Sequence, residues 1–159
     1  MGLSKRLKLI ADLVTPSYRV SDIGTDHGYV PIYLLKNNIC PSAIAVDISK
    51  GSLAKAIENV RRVNLEAVIE CRLSDGLTKL DPYESDSIII AGMGGILIDK
   101  ILRAKPEVVK TSKELIISPH RNPELIRQYA EENGYEIISE NTIVDKKKTY
   151  TVFKIKISH

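Results

Sequence analysis

Residues 18–38 read YRVSDIGTDHGYVPIYLLKNN, and this stretch decides the fold class. Its apolar run stops at Gly24, a polar turn follows to Gly28, and Pro31 then sits where the first turn of a helix tolerates it. That is a strand, a glycine-bounded turn and a helix. The unit repeats on the C-terminal side. AIAVDI is a second strand, followed after Ser49 by a helix with Leu53, Ile57 and Val60 on one face, and AVIECRL is a third strand ending at the Ser74-Asp75-Gly76 turn. DSIIIAG is continuously apolar, as a strand buried on both faces requires, and it leads through glycines into the helix GILIDKILRA. ELIISP is a fifth strand, and Asn122-Pro123-Glu124 is a cap and first-turn proline for a helix that ends at Gly134. On the N-terminal side, Leu3, Leu7, Ile10 and Val14 form the stripe of a helix whose other faces carry Lys5, Arg6 and Lys8.

Strands alternating with helices predict an α/β, doubly wound, Rossmann-like and mostly parallel sheet. The tail departs from this alternation. YEIISENTIV and TYTVFKIKI, joined by DKKK, have no helix between them and predict an antiparallel C-terminal hairpin at a sheet edge. The 159 residues, 43% hydrophobic and 27% charged, suit one domain spanning 1–159 and disfavour a disordered or fibrous chain. A formal charge of +3 permits an RNA partner without demanding one. Cys40 and Cys71 show no metal-ligand spacing and read as reduced core residues, so no metal is expected. With no run of transmembrane length and no signal-peptide pattern, the expectation is a cytoplasmic protein without a membrane partner, a monomer or weak dimer.

A doubly wound sheet binds ligands beyond the carboxyl ends of its strands. The first such end carries Asp22, Gly24, Thr25, Asp26, His27, Gly28 and Tyr29. Its glycine spacing is GxxxG rather than the GxGxxG of a pyrophosphate cradle, and the two aspartates would repel phosphate, so a ligand carrying an ammonium group fits better. A plain glycine turn with a capping aspartate is the alternative. Asp47, with Ile48 after it, stands 23 residues beyond Gly24, where a carboxylate accepts hydrogen bonds from a ribose diol; it could equally cap the next helix. Ser74, Asp75 and Gly76 end the third strand, near an adenine or in a simple Asp-Gly turn. The fourth end, Gly92, Met93 and Gly94 before Gly95, removes side chains where a flat ring could lie against backbone. These signals share one economical reading, an adenosine bearing a charged amino-acid tail, which is S-adenosylmethionine.

DIGTDHGY, AVD, SDGL and AGMGG in register, preceded by LSKRLKLIADLV, resemble the bacterial TrmK family of tRNA adenine-N1 methyltransferases acting on adenosine 22. The resemblance covers almost the whole chain. It implies a class I methyltransferase fold, S-adenosylmethionine as methyl donor and a tRNA substrate. Its first motif falls on Asp22, Gly24, Asp26 and His27, its ribose-binding acid on Asp47, its adenine-flanking turn on Asp75 and Gly76, and its fourth motif on Gly92 to Gly95. Family members often have Ala at the position of Gly28, a Pro-Asn pair at Pro119-His120-Arg121, and a C-terminal helical extension that is absent from this sequence. Asp26, His27 and Tyr29, closest to the donor in this reading, are the candidate catalytic residues. Lys5, Arg6, Lys8, His120 and Arg121 are the candidate RNA contacts, whereas Arg61, Arg62 and Lys146 to Lys148 read as solvated surface. A nicotinamide-dependent oxidoreductase and a non-catalytic S-adenosylmethionine- or RNA-binding module are the rival classes.

Overall fold

A computed structural model describes residues 2–158. The chain runs α1 (Lys5–Leu13), β1 (Val20–Ile23), α2 (Tyr29–Lys36), β2 (Ala43–Asp47), α3 (Lys50–Arg62), β3 (Ile69–Leu73), β4 (Ser87–Met93), α4 (Gly95–Ala104), α5 (Pro106–Lys110), β5 (Glu114–Pro119), α6 (Glu124–Asn133), β6 (Glu136–Asp145) and β7 (Lys148–Lys156). The sheet order is β3-β2-β1-β4-β5-β7-β6, with the first five strands parallel and β7 antiparallel to both of its neighbours. The doubly wound sheet and its edge hairpin are therefore as the sequence predicts.

Alternation along β4 shows why the sheet needs cover on both faces. Ile88 and Ile90 pack with Leu102, Val109, Ile126 and Phe153 on one side, and Ile89 packs with Ile10, Val30, Leu34 and Val60 on the other. All three isoleucines are fully buried, each contributing about 1.5–3 kcal/mol relative to exposure. Thus α1, α2 and α3 cover one face, and α4, α5 and α6 the other.

Three local details differ from expectation. Residues 106–110 form α5, a helix started by Pro106 but too short to show a period. Asn122 does not cap α6: it holds φ +54°, its side-chain amide donates to Glu124, and Pro123 occupies the cap position. On α3 the buried face runs through Leu53, Ala56 and Val60 while Ile57 is exposed. The reason is close packing, since a Cβ placed at Gly28 would lie 3.4 Å from that of Ala56, so a small residue must face α2 there.

Chain direction changes between β1 and β4. From β1 the parallel crossovers step outward to β2 and β3, and from β4 they step the opposite way to β5, which opens a crevice at the carboxyl ends of β1 and β4. Two backbone hydrogen bonds tie the loops beyond β4 and β5 together: His120 N–H donates to the Met93 carbonyl and Gly95 N–H to the Arg121 carbonyl, each at 2.8 Å. Gly95 has no room for a side chain, because a Cβ there would collide with the Asn122 carbonyl.

Candidate active site

The crevice is a cavity of about 370 Å³ lined by Arg6, Asp22, Gly24, Thr25, Asp26, His27, Tyr29, Asp47, Gly92 and Met93, with apolar walls from Leu7, Ile10, Val30, Ile89 and Ala91. Nine of the first ten positions were expected from sequence as cofactor or catalytic residues, and the tenth, Arg6, as an RNA contact. The fold brings them together from α1, β1, β2 and β4.

Each is held by its local structure. Gly24 and Gly28 adopt φ of +76° and +75°, the left-handed conformation that a side chain disfavours. Asp26 takes φ +57°, and its backbone N–H donates to Asp47 Oδ2 at 3.0 Å. Asp47 Oδ1 accepts from Ser49 N–H at 3.0 Å, so one buried carboxylate spans the β1 and β2 loops. It does not cap α3; the Ser49 hydroxyl does. Each oxygen keeps a lone pair for a ligand hydroxyl. His27 Nδ1 lies 2.8 Å from Asp26 Oδ2, and the imidazole stacks on Tyr29 with centroids 5.0 Å apart. Asn59 donates to the His27 carbonyl and steadies the loop from α3.

Asp22 is buried at the base of the cavity. Burial pushes its carboxyl up to about 7, the nearby Asp47 charge adds to the rise, and the Thr25 hydroxyl acts in the opposite direction. A cation entering beside Asp22 would restore the ionised form.

A second cavity adjoins the first at Gly92 and Met93 and is completed by Gly94, His120, Arg121, Lys148, Thr149 and Tyr150. The Tyr150 ring carries the Arg6 guanidinium 4.6 Å from its centroid and lies 5.7 Å from the His120 ring. Burial first, then the Arg6 charge, lower the proton affinity of His120, while a hydrogen bond with the Gly92 backbone raises it. Arg6 Nη1 is buried with no hydrogen-bond partner among the described residues. An unpaired buried guanidinium nitrogen is costly, so an arriving acceptor gains there.

The remaining sequence candidates stand outside these two cavities. Gly28 caps α2, Ile48 is 67% exposed just beyond Asp47, and Asp75 is exposed. Ser74 is buried, its hydroxyl donating to the Gly76 carbonyl and accepting from Lys79 N–H. Lys5 is exposed, and the Lys8 ammonium is engaged by Asp12 at 2.8 Å. Sequence reasoning missed Tyr150, Thr149 and Lys148, and placed Lys148 on solvated surface; β7 returns them beside β5 from far along the chain.

The sequence profile of the family described as Methyltransferase domain matches residues 3–153. This chain belongs to that family. Within it, the methyltransferase domain is of the TrmK type. It is 35% identical over 152 residues to the tRNA (adenine(22)-N(1))-methyltransferase of Bacillus subtilis, covering 96% of this chain and 64% of that relative, so it spans a little under two thirds of the relative's length. The solved B. subtilis M1A22 tRNA methyltransferase TrmK superposes with a TM-score of 0.94 at 34% identity, over 99% of this chain and 67% of that one. M. capricolum TrmK, solved with S-adenosyl-homocysteine, gives 0.91 at 32% identity over 98% and 69%. No helix in the described part of the methyltransferase domain is long and apolar enough to cross a membrane.

Proposed function

We propose that the chain binds S-adenosylmethionine in the first cavity and transfers its methyl group to N1 of an adenosine in tRNA presented through the second. The observation that carries this reading is the continuity of the two cavities at Gly92 and Met93, one rich in carboxylates and the other flanked by Arg121 and Lys148. The name of the B. subtilis relative supports the substrate class, and the S-adenosyl-homocysteine bound by M. capricolum TrmK supports the donor.

The residues present fit the donor. Gly24 leaves a backbone cradle, since a Cβ there would lie 2.6 Å from Met93 Cε. Asp22 would hold the ammonium group and Asp47 the ribose hydroxyls, and Ile48 with the Ser74 to Gly76 turn, beyond the cavity at the ends of β2 and β3, would flank the adenine. When bound, S-adenosylmethionine supplies an electrophilic methyl on a sulfonium sulfur. Adenine N1 already holds a lone pair, so the protein's main contribution is alignment. Asp26, in the same cavity, would stabilise the positive charge of a methylated adenine ring. The Nδ1 contact of His27 with Asp26 leaves Nε2 to accept a proton from the exocyclic amine. Tyr29, stacked on His27, holds the ring in place.

Incubating the chain with unmodified tRNA and methyl-labelled S-adenosylmethionine, then digesting to nucleosides, is expected to yield labelled 1-methyladenosine. No label in tRNA would overturn the reading. Asp26→Ala should lower kcat by roughly a hundredfold or more, with S-adenosylmethionine affinity nearly unchanged; full activity would remove Asp26 from the chemistry.

Asp22 makes donor binding pH-dependent. Its carboxyl near 7 is protonated below that pH and a poor partner for an ammonium. Affinity should therefore rise up to about tenfold per pH unit below 7 and level off above it, until the donor's own amine deprotonates near 8. In the ligand-free chain the sign is opposite for stability. A carboxyl that titrates at 3.8 unfolded and about 7 folded favours the folded state when protonated, so stability falls as pH rises through that window. Calorimetry at pH 6, 7 and 8 with Asp22→Asn as reference checks this; a flat wild-type profile would contradict it.

A further inference from the structure

A third depression, about 670 Å³, lies between α1, α2 and the β6–β7 turn, and joins the donor cavity through Arg6, Leu7 and Tyr29. Its cations are Arg6, Lys36 and Lys146, its aromatic side chains are Tyr29 and Tyr33, and no acidic residue lines it. Lys36 and Lys146 are exposed, and no ion pair is formed by either among the described residues. Asp145 Oδ2 accepts from the Arg6 backbone N–H at 3.3 Å, which ties the hairpin turn to α1. From that turn Lys146 faces this groove while Lys148 faces the second cavity, so the hairpin straddles the reaction site.

We infer that this groove is a docking path for single-stranded RNA, taking the phosphates and a stacked base of the nucleotides next to the target adenosine. The chemistry is that of a single-strand channel, cations to follow the backbone and aromatic faces to receive bases of any identity. Tyr29, 44% exposed, is the platform nearest the donor. Continuity with the site selects this occupant. A strand entering along α1 and α2 passes Tyr29 and Arg6 before it reaches the second cavity. The inference rests on the RNA methylation reading for its substrate, and the groove can be tested apart from it.

The test measures binding of a short oligouridylate and steady-state methylation of tRNA by wild type and by the Lys36→Glu, Lys146→Glu double variant. Both positions are exposed, which keeps folding out of the result, and melting with and without S-adenosylmethionine confirms an intact donor site. Expected are roughly tenfold weaker oligouridylate binding, a KM for tRNA raised by a similar factor, and unchanged kcat and donor affinity. The slope of log affinity against log salt should shrink by about 1.4, the loss of two phosphate contacts on a single strand. A second variant, Tyr33→Leu, keeps bulk and loses the stacking face, and should weaken oligouridylate binding without changing the salt slope. Equal oligouridylate affinity for wild type and the double variant overturns the groove. Wild type that methylates no tRNA, with the difference in oligouridylate affinity intact, overturns the substrate reading and leaves the groove standing.

Discussion

Gly24→Ala is expected to weaken S-adenosylmethionine binding by roughly ten- to a hundredfold, which corresponds to the 1–3 kcal/mol of overpacking a tight site. Two effects combine. Residue 24 must hold φ +76°, which costs an alanine about 1 kcal/mol, and the new methyl would lie 2.6 Å from Met93 Cε. Met93 is flexible at its end and moves, but it also lines the cavity, so its displacement consumes the space the donor needs. Pairing Gly24→Ala with Met93→Ala separates these causes. The double variant should recover the steric part of the affinity and retain the backbone part. Titration calorimetry reads the affinity and denaturant unfolding reads the strain; wild-type affinity in the single variant would show that the cradle is not used.

Asp47→Ala is expected to lose donor binding by a hundredfold or more and about 1–3 kcal/mol of stability together. The carboxylate accepts from Asp26 N–H and Ser49 N–H, and its removal takes their shared buried acceptor from both donors. It also releases the left-handed Asp26, which presents the candidate catalytic pair. Asp47→Asn keeps one acceptor oxygen. It should recover more of the stability than of the affinity, because the amide repels one of the two donors and offers the ribose a poorer partner. If Asp47→Ala unfolds at the wild-type denaturant midpoint, the bridge between the β1 and β2 loops carries no weight.

Much of the candidate site was legible because its residues lie at strand ends. A strand announces itself by its apolar run and its end by a glycine or aspartate, so Asp22, Gly24, Asp47 and Gly92 could be located by counting along the chain. Local chemistry sufficed there. It misled at Asn122, whose residue type suits a cap although its φ of +54° places it outside that role. It misled again at Ile57, because helical period alone does not say that Ala56 must face Gly28.

The succession of strands and helices along the chain, the glycines that bend it and the acids near the ends of β1 and β2 are properties of short windows, and the sequence by itself determined them. Tyr150 beside His120 joins residues 30 positions apart, Arg6 over that ring joins residues 144 positions apart, and Lys146 and Lys148 fall on opposite sides of the candidate site. Only the tertiary structure decided these. The physical reason is the antiparallel return of β7 beside β5, whose register depends on long-range backbone pairing that no local pattern of residues encodes.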